Sequence, residues 1–410
     1  MTTSSIAEPV TDLTATPPPA AQPTVQVPVP SPVGFFQQAL PANLILLSFV
    51  FLTLPLTAIT IFRPHTILLW VYVWLFGMTH FVITLSIYLQ SQNLKHFAAS
   101  WRNRILFFAV PIAIFVGFDL IHAFRVGALF PMFAIVFWGA IRLLDFNHFN
   151  RQTFGVYQMY KGRIGVRFPT WIKSTENAFF ASLTGLLYVT FLSGGVFPLV
   201  QPGGALTIWP VSASLEAPMI ALDVLQIAAV VGLLISAGLG TAAVMGIVNH
   251  WKLAGQPEGL KPALLYFGFQ TASACLAIAA FPLYLAALAI HYVEYHVLMI
   301  PRCFHTPLDE GSRLDRAYGK LRAHRGLFYA LVIAVAGLAT AGSLAGMGAM
   351  GRNMEALNQP FDYLMLIAIF DGLFVFHYFI EMLIWRFSDP FFRKSLVGLY
   401  FAPKVTPQKA

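Results

Sequence analysis

Six ionisable side chains lie in or beside apolar segments of the chain that are long enough to cross a bilayer. An ionisable group at membrane depth is costly, so its presence there indicates a functional site. Imidazole together with carboxylate suits iron, manganese or zinc, whereas copper(I) prefers sulfur ligands. We therefore expect a metal site that holds iron, as one ion or a di-iron pair, with manganese or zinc as alternatives. The predicted ligands are His80, His148, His291, Glu294, His377 and Glu381.

The spacing of these residues favours shared helix faces. His291 and Glu294 are three residues apart, and His377 and Glu381 are four apart, so each pair lies on one side of its helix. Histidine and carboxylate pairs projected from several helices build di-iron and dimanganese sites in bundles. His296 lies about 140° around the helix from His291, so it is not expected to join the same site.

Simpler explanations exist for each residue taken alone. A single histidine or glutamate in a membrane helix often makes a helix–helix hydrogen bond or a proton relay. Asp145, three residues before His148, can pair with Arg142, and His250 can be an ordinary interfacial residue. A metal-free polar network is therefore the alternative to a metal site.

The composition explains what must position these groups. The chain has 410 residues, of which 58% are hydrophobic and 10% charged, and its net charge is +8. Ordinary globular proteins are about 25% charged, so this chain is predicted to be an integral membrane protein. Most Lys and Arg lie in short connections, which favours contacts with anionic membrane lipids and not with nucleic acid. The two cysteines form no CxxC motif, so a thiolate metal site is not expected.

Apolar runs of about twenty residues predict an all-α transmembrane bundle with about ten spans. Basic residues cluster in alternate connections and at the C-terminus, which places both termini in the cytoplasm. We expect a multi-pass protein of a bacterial inner membrane. The predicted spans are 42–62, 66–90, 105–123, 126–146, 175–200, 218–248, two within 262–300 that are divided at Pro282, 326–349 and 361–385.

The remaining segments complete the domain organisation. Residues 1–33 are predicted to be a disordered, Pro-rich tail, 34–390 the transmembrane domain, and 391–410 a basic cytoplasmic tail. The basic segment 147–173 is not expected to cross. Its aromatic residues can fall on one side of a helix, which predicts an amphipathic helix at the membrane interface. These aromatic residues are Phe149, Phe154, Tyr157 and Tyr160.

The predicted topology places the six candidate ligands at one level. His80, the pair His291 and Glu294, and the pair His377 and Glu381 all fall in the cytoplasmic halves of their spans, and His148 lies at the cytoplasmic end of its own. A common depth in four helices is what one shared site requires.

Short segments around these histidines resemble known membrane enzymes. They read GMTHF at His80, DFNHF at His148 and HYVEYH at His291–His296. A histidine-rich site in an apolar bundle is similar to fatty-acid desaturases and hydroxylases and to Brp/Blh-type carotene oxygenases, although the HxxHH and HxxxH boxes of desaturases are absent. The resemblance implies a non-haem iron oxygenase, hydroxylase or desaturase that acts on a hydrophobic small molecule, a lipid or isoprenoid. Tyr292 and Tyr295 are the candidate catalytic residues, and they or Tyr378 could shape the pocket or hydrogen-bond an intermediate.

Such an enzyme needs an external electron donor, because the sequence contains no flavin or ferredoxin motif. Two other functions remain open. Intramembrane acidic residues would also suit a proton-coupled transporter, although no internal repeat is detectable. Histidines that face each other across helices would suit a haem- or pigment-binding membrane subunit.

Overall fold

All regular secondary structure in the described part of the chain is helical, which confirms the predicted all-α class. The structure is a computed structural model. The predicted tail 1–33 lies outside the residues that it describes. These are 42–62, 67–123, 130–162, 164, 166–193, 222–257, 259–280, 283–352, 362–386, 388–396 and 399–400.

The helices of these ranges are numbered here in chain order. They are α1 Leu44–Phe62, α2 Ile67–Leu89, α3 Ser91–Ala98, α4 Trp101–Ile121, α5 Phe130–Gly162, α6 Thr170–Ser193, α7 Leu222–Leu253, α8 Leu260–Ala279, α9 Ala289–Phe304, α10 Arg313–Ala323, α11 Arg325–Arg352, α12 Asp362–Ile384 and α13 Pro390–Leu396.

Six of these helices contain segments long and apolar enough to cross a membrane: α1, α2, α4, α7, α8 and α11. Their outward faces carry large apolar side chains, including Phe51, Phe62, Leu234 and Leu338, each more than 60% exposed. A surface of this kind is stable only against lipid or another apolar phase. The chain is therefore a multi-pass integral membrane protein.

Helix α9 is the central helix of the bundle. Eleven of its sixteen residues are buried, although the helix carries several polar groups. A short helical turn, Tyr284–Ala287, precedes it and lengthens it toward the span of a bilayer. The apolar stretch 262–300 breaks where the sequence predicts, because α8 ends at Ala279 and Ala280 is extended. Pro282 itself lies outside the described residues.

The prediction of an interfacial helix in 147–173 is wrong. Helix α5 continues without a break to Gly162, and the side chains of Phe149, Tyr157 and Tyr160 are about 1% exposed. Tyr160 stacks on Tyr266 of α8 at a ring separation of 4.9 Å. An aromatic face suits a neighbouring helix as well as a lipid interface, so the sequence pattern alone could not separate the two. His148 consequently lies inside a long helix and not beyond the end of one.

Part of the predicted C-terminal tail packs onto the bundle. Phe392 and Leu396 of α13 and Tyr400 after it are almost completely buried. The hydroxyl of Tyr400 donates a hydrogen bond to the carbonyl oxygen of Leu298 in α9. Helix α13 is therefore packed into the bundle, and Tyr400 contacts the central helix.

A buried carboxylate joins two of the connections. The Asp315 side chain accepts hydrogen bonds from the backbone N–H of Ser91 (2.6 Å) and of Asp309 (2.7 Å), and from the Ser91 hydroxyl (2.8 Å). Burial raises the pKa of Asp315, but these hydrogen bonds outweigh it and leave the pKa below its ordinary value. The start of α3 is thereby held against α10.

We expect the stabilisation from Asp315 to be complete above the pKa of the unfolded chain, about 3.9, and to disappear as the pH falls through the lower pKa of the folded protein. The hydrogen-exchange rates of the Ser91 and Asp309 backbone amides, each compared with the intrinsic rate at the same pH, measure this stabilisation. Wild-type protection should be lost only in acid, whereas Asp315→Ala, which has no side-chain acceptor, should lack it at neutral pH as well. Equal protection in both proteins at pH 7 would contradict this role.

Candidate metal centre

Helix α2 changes its winding immediately before its histidine. The turn Val73–Met78 is π-helical, and the α-helical segment Thr79–Thr84 follows it. Wider turns of this type occur frequently at functional sites, because they redirect the next side chains. His80 follows this turn and is completely buried.

Three histidines from three helices meet in the interior of the bundle. The nitrogens of His80 (α2), His148 (α5) and His377 (α12) that could ligate a metal all lie within 4.8 Å of one another. The two Nε2 atoms of His80 and His377 are 2.7 Å apart. All three side chains are buried. This set is called the histidine group below, and it can hold a metal ion.

The carboxylate of Glu381 adjoins the histidine group. Its Oε2 atom is 3.7 Å from Nε2 of His148 and 3.9 Å from Nε2 of His377. Its Oε1 atom accepts a 3.0 Å hydrogen bond from the indole N–H of Trp385. Arg302 of α9 lies 4.6 Å over the Trp385 ring and donates to the Ile384 carbonyl, so the end of α12 is fixed to the central helix.

These donors fit a metal ion. Imidazole nitrogens bind a metal at about 2.0–2.1 Å, so adjacent ligands are about 2.9 Å apart in octahedral geometry and about 3.4 Å in tetrahedral geometry. The 2.7 Å separation of His80 and His377 is close to the first value. His148 Nε2 is buried and has no hydrogen-bond partner among the described residues. Three imidazoles and a neighbouring carboxylate are ligands suited to iron, manganese or zinc.

His291 and the two candidate tyrosines line the histidine group. The His291 ring centroid is 4.9 Å from that of His80 and 5.3 Å from that of His148. The Tyr295 ring is 4.1 Å from His80, and the Tyr292 ring is 5.1 Å from it. All are buried, so the structure places these predicted site residues around one centre.

Thr84 orients one of the three histidines. Its Oγ1 atom lies 2.7 Å from Nδ1 of His377 and 2.7 Å from the hydroxyl of Tyr295. If Nδ1 of His377 is protonated and donates a hydrogen bond to Thr84, the lone pair that can bind a metal is on Nε2, which faces His80. Hydrogen bonds of this kind fix the tautomer and the ring orientation of metal ligands.

We expect Thr84→Val to weaken metal binding about 10- to 100-fold, because valine cannot accept a hydrogen bond from the Nδ1–H group of His377. Competition with a chelator of known affinity measures the change. Thr84→Ser retains the acceptor and should bind metal as the wild type does. If valine and serine variants bind equally, Thr84 does not orient His377.

Asp145 has a positioning role and lies outside the histidine group. It accepts a 2.6 Å hydrogen bond from the hydroxyl of Tyr378 and pairs with Arg142 at 3.2 Å. The Tyr378 ring stacks on His148 with 4.5 Å between centroids. The ion pair expected from the sequence is therefore present, and through Tyr378 it supports one of the three histidines.

Glu294 lies in a separate hydrogen-bonded cluster. Its Oε2 accepts from the hydroxyl of Tyr266 at 2.6 Å and the amide of Gln270 at 3.1 Å, and its Oε1 accepts from Gln152 at 3.2 Å. His296 instead contacts Thr79 at 3.1 Å, in agreement with its expected position away from His291.

Sequence reasoning missed the partners that make these contacts. Gln152 follows His148 by one helical turn, and Gln270 interrupts an apolar run, so both carried a signal of polar groups at membrane depth. Trp385 had no such signal, because a tryptophan near a helix end is also typical of a membrane interface.

The chain matches no protein-family model, and neither a curated protein nor a solved structure is significantly similar to it.

Proposed function

We propose that this protein is an integral membrane metalloenzyme, a non-haem iron oxygenase, hydroxylase or desaturase that acts on a lipid or isoprenoid. The observation that supports it most is the convergence of His80, His148 and His377 in an apolar interior, with Glu381 beside them. Iron bound there would supply one-electron redox chemistry toward dioxygen. Manganese or zinc would fit the same ligands.

The chain's own residues would hold and enclose the ion. In this proposal the three histidines and Glu381 are ligands, and His291 is a fourth histidine whose ring lies beside those of His80 and His148. Tyr292 and Tyr295 close the interior against water and face the His80 ring. Glu294 is omitted from the ligand set, because both of its oxygens accept hydrogen bonds elsewhere.

The membrane arrangement belongs to the same proposal. Helices α5, α6, α9 and α12, added to the six candidate spans, give ten crossings with both termini in the cytoplasm. The histidine group then lies in the cytoplasmic half of a bacterial inner membrane, within reach of an external electron donor and of hydrophobic substrates in the lipid.

A metal-free proton-relay or transport site is the second candidate. The 2.7 Å contact between His80 and His377 can also be a hydrogen bond that shares one proton. A haem between these two nitrogens is less suitable, since two trans imidazole nitrogens on one metal are about 4 Å apart.

Metal analysis and an optical spectrum of the protein purified in detergent test the proposal. Stoichiometric iron or manganese without a Soret band would support the metalloenzyme. Protein without metal, after growth with added iron, manganese and zinc, would favour the proton-relay candidate. A Soret band would indicate the haem-binding alternative.

A further inference from the structure

The side chain of Thr79 stabilises the π-helical turn of α2 that precedes His80. The backbone N–H of Thr79 donates to the carbonyls of Trp74 and Phe76. In an α-helix it would donate to the carbonyl of Leu75, four residues earlier. The Thr79 hydroxyl donates to that carbonyl at 2.6 Å, so the side chain supplies a donor where the wide turn has redirected the backbone one.

His296 of α9 reaches the same hydroxyl from the neighbouring helix. Its Nε2 atom lies 3.1 Å from Oγ1 of Thr79. A hydroxyl has one proton, and Thr79 donates its proton to Leu75, so its oxygen accepts a hydrogen bond from His296. The centroids of the His296 and His80 rings are 6.5 Å apart, and Thr79 is the chain neighbour of His80. His296 therefore contacts the backbone next to His80 through Thr79.

Tyr292 provides a second contact between α9 and the same part of α2. Tyr292 and His296 are four residues apart, so they lie on one face of α9. The Tyr292 ring lies over Gly77, where an added Cβ would be 3.4 Å from it. Helix α9 thus meets the end of the π turn by packing at Gly77 and by a hydrogen bond at Thr79.

The winding of this turn determines the direction of His80. A π-helical turn contains about one residue more than an α-helical turn, and each residue of an α-helix turns the chain by about 100°. A change to α-helical winding would therefore rotate the side chains that follow by about that angle. His80 is completely buried, and its Nε2 atom is 2.7 Å from that of His377. Such a rotation would break this contact.

We propose that His296 is a positioning residue for the candidate metal centre: its hydrogen bond to Thr79 maintains the π turn and so keeps His80 in the histidine group. The inference rests on the proposed function, because it gives His296 a part in building that site. It also assigns a role to the second histidine of the HYVEYH segment, which lies away from His291 on the helix.

The affinity for Zn²⁺, measured in detergent by competition with a chelator, tests this role. We expect His296→Ala to weaken Zn²⁺ binding about 10-fold, the lower end of the effect of residues that orient metal ligands. His296→Gln presents an amide N–H to Thr79 and should bind Zn²⁺ as the wild type does. A role confined to helix packing would lower the Tm of His296→Ala and leave its Zn²⁺ affinity unchanged, which would overturn the proposal.

A double variant tests whether the effect passes through Thr79. Thr79→Val removes the hydroxyl and should weaken Zn²⁺ binding at least as much as His296→Ala does. Once the hydroxyl is absent, His296→Ala should have no further effect. A further loss of affinity in the double variant would overturn the proposal. If His296→Ala does not fold, His296→Leu, which keeps the apolar contacts without the donor, replaces it in both experiments.

Imidazole ¹⁵N NMR of the metal-free protein separates this inference from the proposed function. The His80 signals, identified by their loss in His80→Ala, should move in His296→Ala and return in His296→Gln. Unchanged His80 signals in His296→Ala would overturn the positioning role. If the wild type binds no zinc, iron or manganese and the His80 signals move as expected, the proposed function fails while the positioning of His80 by His296 stands.

Discussion

Replacement of His377 by alanine should abolish stoichiometric metal binding while the helical bundle remains folded. His377 contributes one of the three converging nitrogens and lies 3.9 Å from Glu381, so its loss leaves two histidines that no longer enclose one position. Loss of an orienting partner already costs about 10- to 100-fold in metal affinity, and loss of a ligand should cost more. Metal content after purification and the affinity in chelator competition measure the effect.

His250→Ala is the matched control. This histidine also lies in a long helix, but its ring contacts the Gly246 carbonyl at 3.2 Å and is 6.1 Å from Trp171, away from the histidine group. It should bind metal as the wild type does. Equal metal content in the two alanine variants would refute the assignment of His377.

Replacement of Glu176 by alanine should destabilise the protein by about 3–5 kcal/mol, the usual cost of leaving one partner of a buried ion pair alone. Glu176 is 0% exposed and pairs with Lys161, which is itself 6% exposed, and it also accepts hydrogen bonds from Tyr157 and Gln158. The contact joins α5 to α6 and so fixes the helix that carries His148. Equilibrium unfolding in detergent measures the free energy.

Two further variants identify the cause. Glu176→Gln keeps an acceptor for Tyr157 and should lose less stability than alanine. The double change of Lys161→Met with Glu176→Leu should lie near the wild type, because apolar side chains of similar volume often replace a buried ion pair without loss. If Glu176→Ala lowers the free energy of unfolding by less than about 1 kcal/mol, the pair of Lys161 and Glu176 behaves as an exposed salt bridge and is not buried in the purified protein.

The sequence predicted the histidines of the candidate site better than the residues that contact them. Ionisable residues in or beside apolar runs, together with helical spacing, identify His80, His148 and His377. Their convergence follows from topology, because a polar group at membrane depth must face the interior of the bundle. The break after α8 was also predictable, from the length of the apolar stretch.

Other features could not be read from periodicity. The pairing of His291 with Glu294 on one face was a fair prediction, but a helix face about 100° wide can meet two different neighbours. Glu294 therefore contacts α5 and α8, while His291 faces the histidine group. For the same reason, the aromatic pattern of α5 predicts a membrane interface equally well as the surface of α8, against which it packs.

X-ray absorption at the edge of the bound metal tests the central claim most directly. The proposed site predicts a first shell of nitrogen and oxygen at about 2.0–2.2 Å, with the outer-shell scattering of several imidazole rings. That signal should be lost in His377→Ala. A first shell without imidazole, or wild-type protein that binds no metal when iron, manganese and zinc are supplied, would contradict the account.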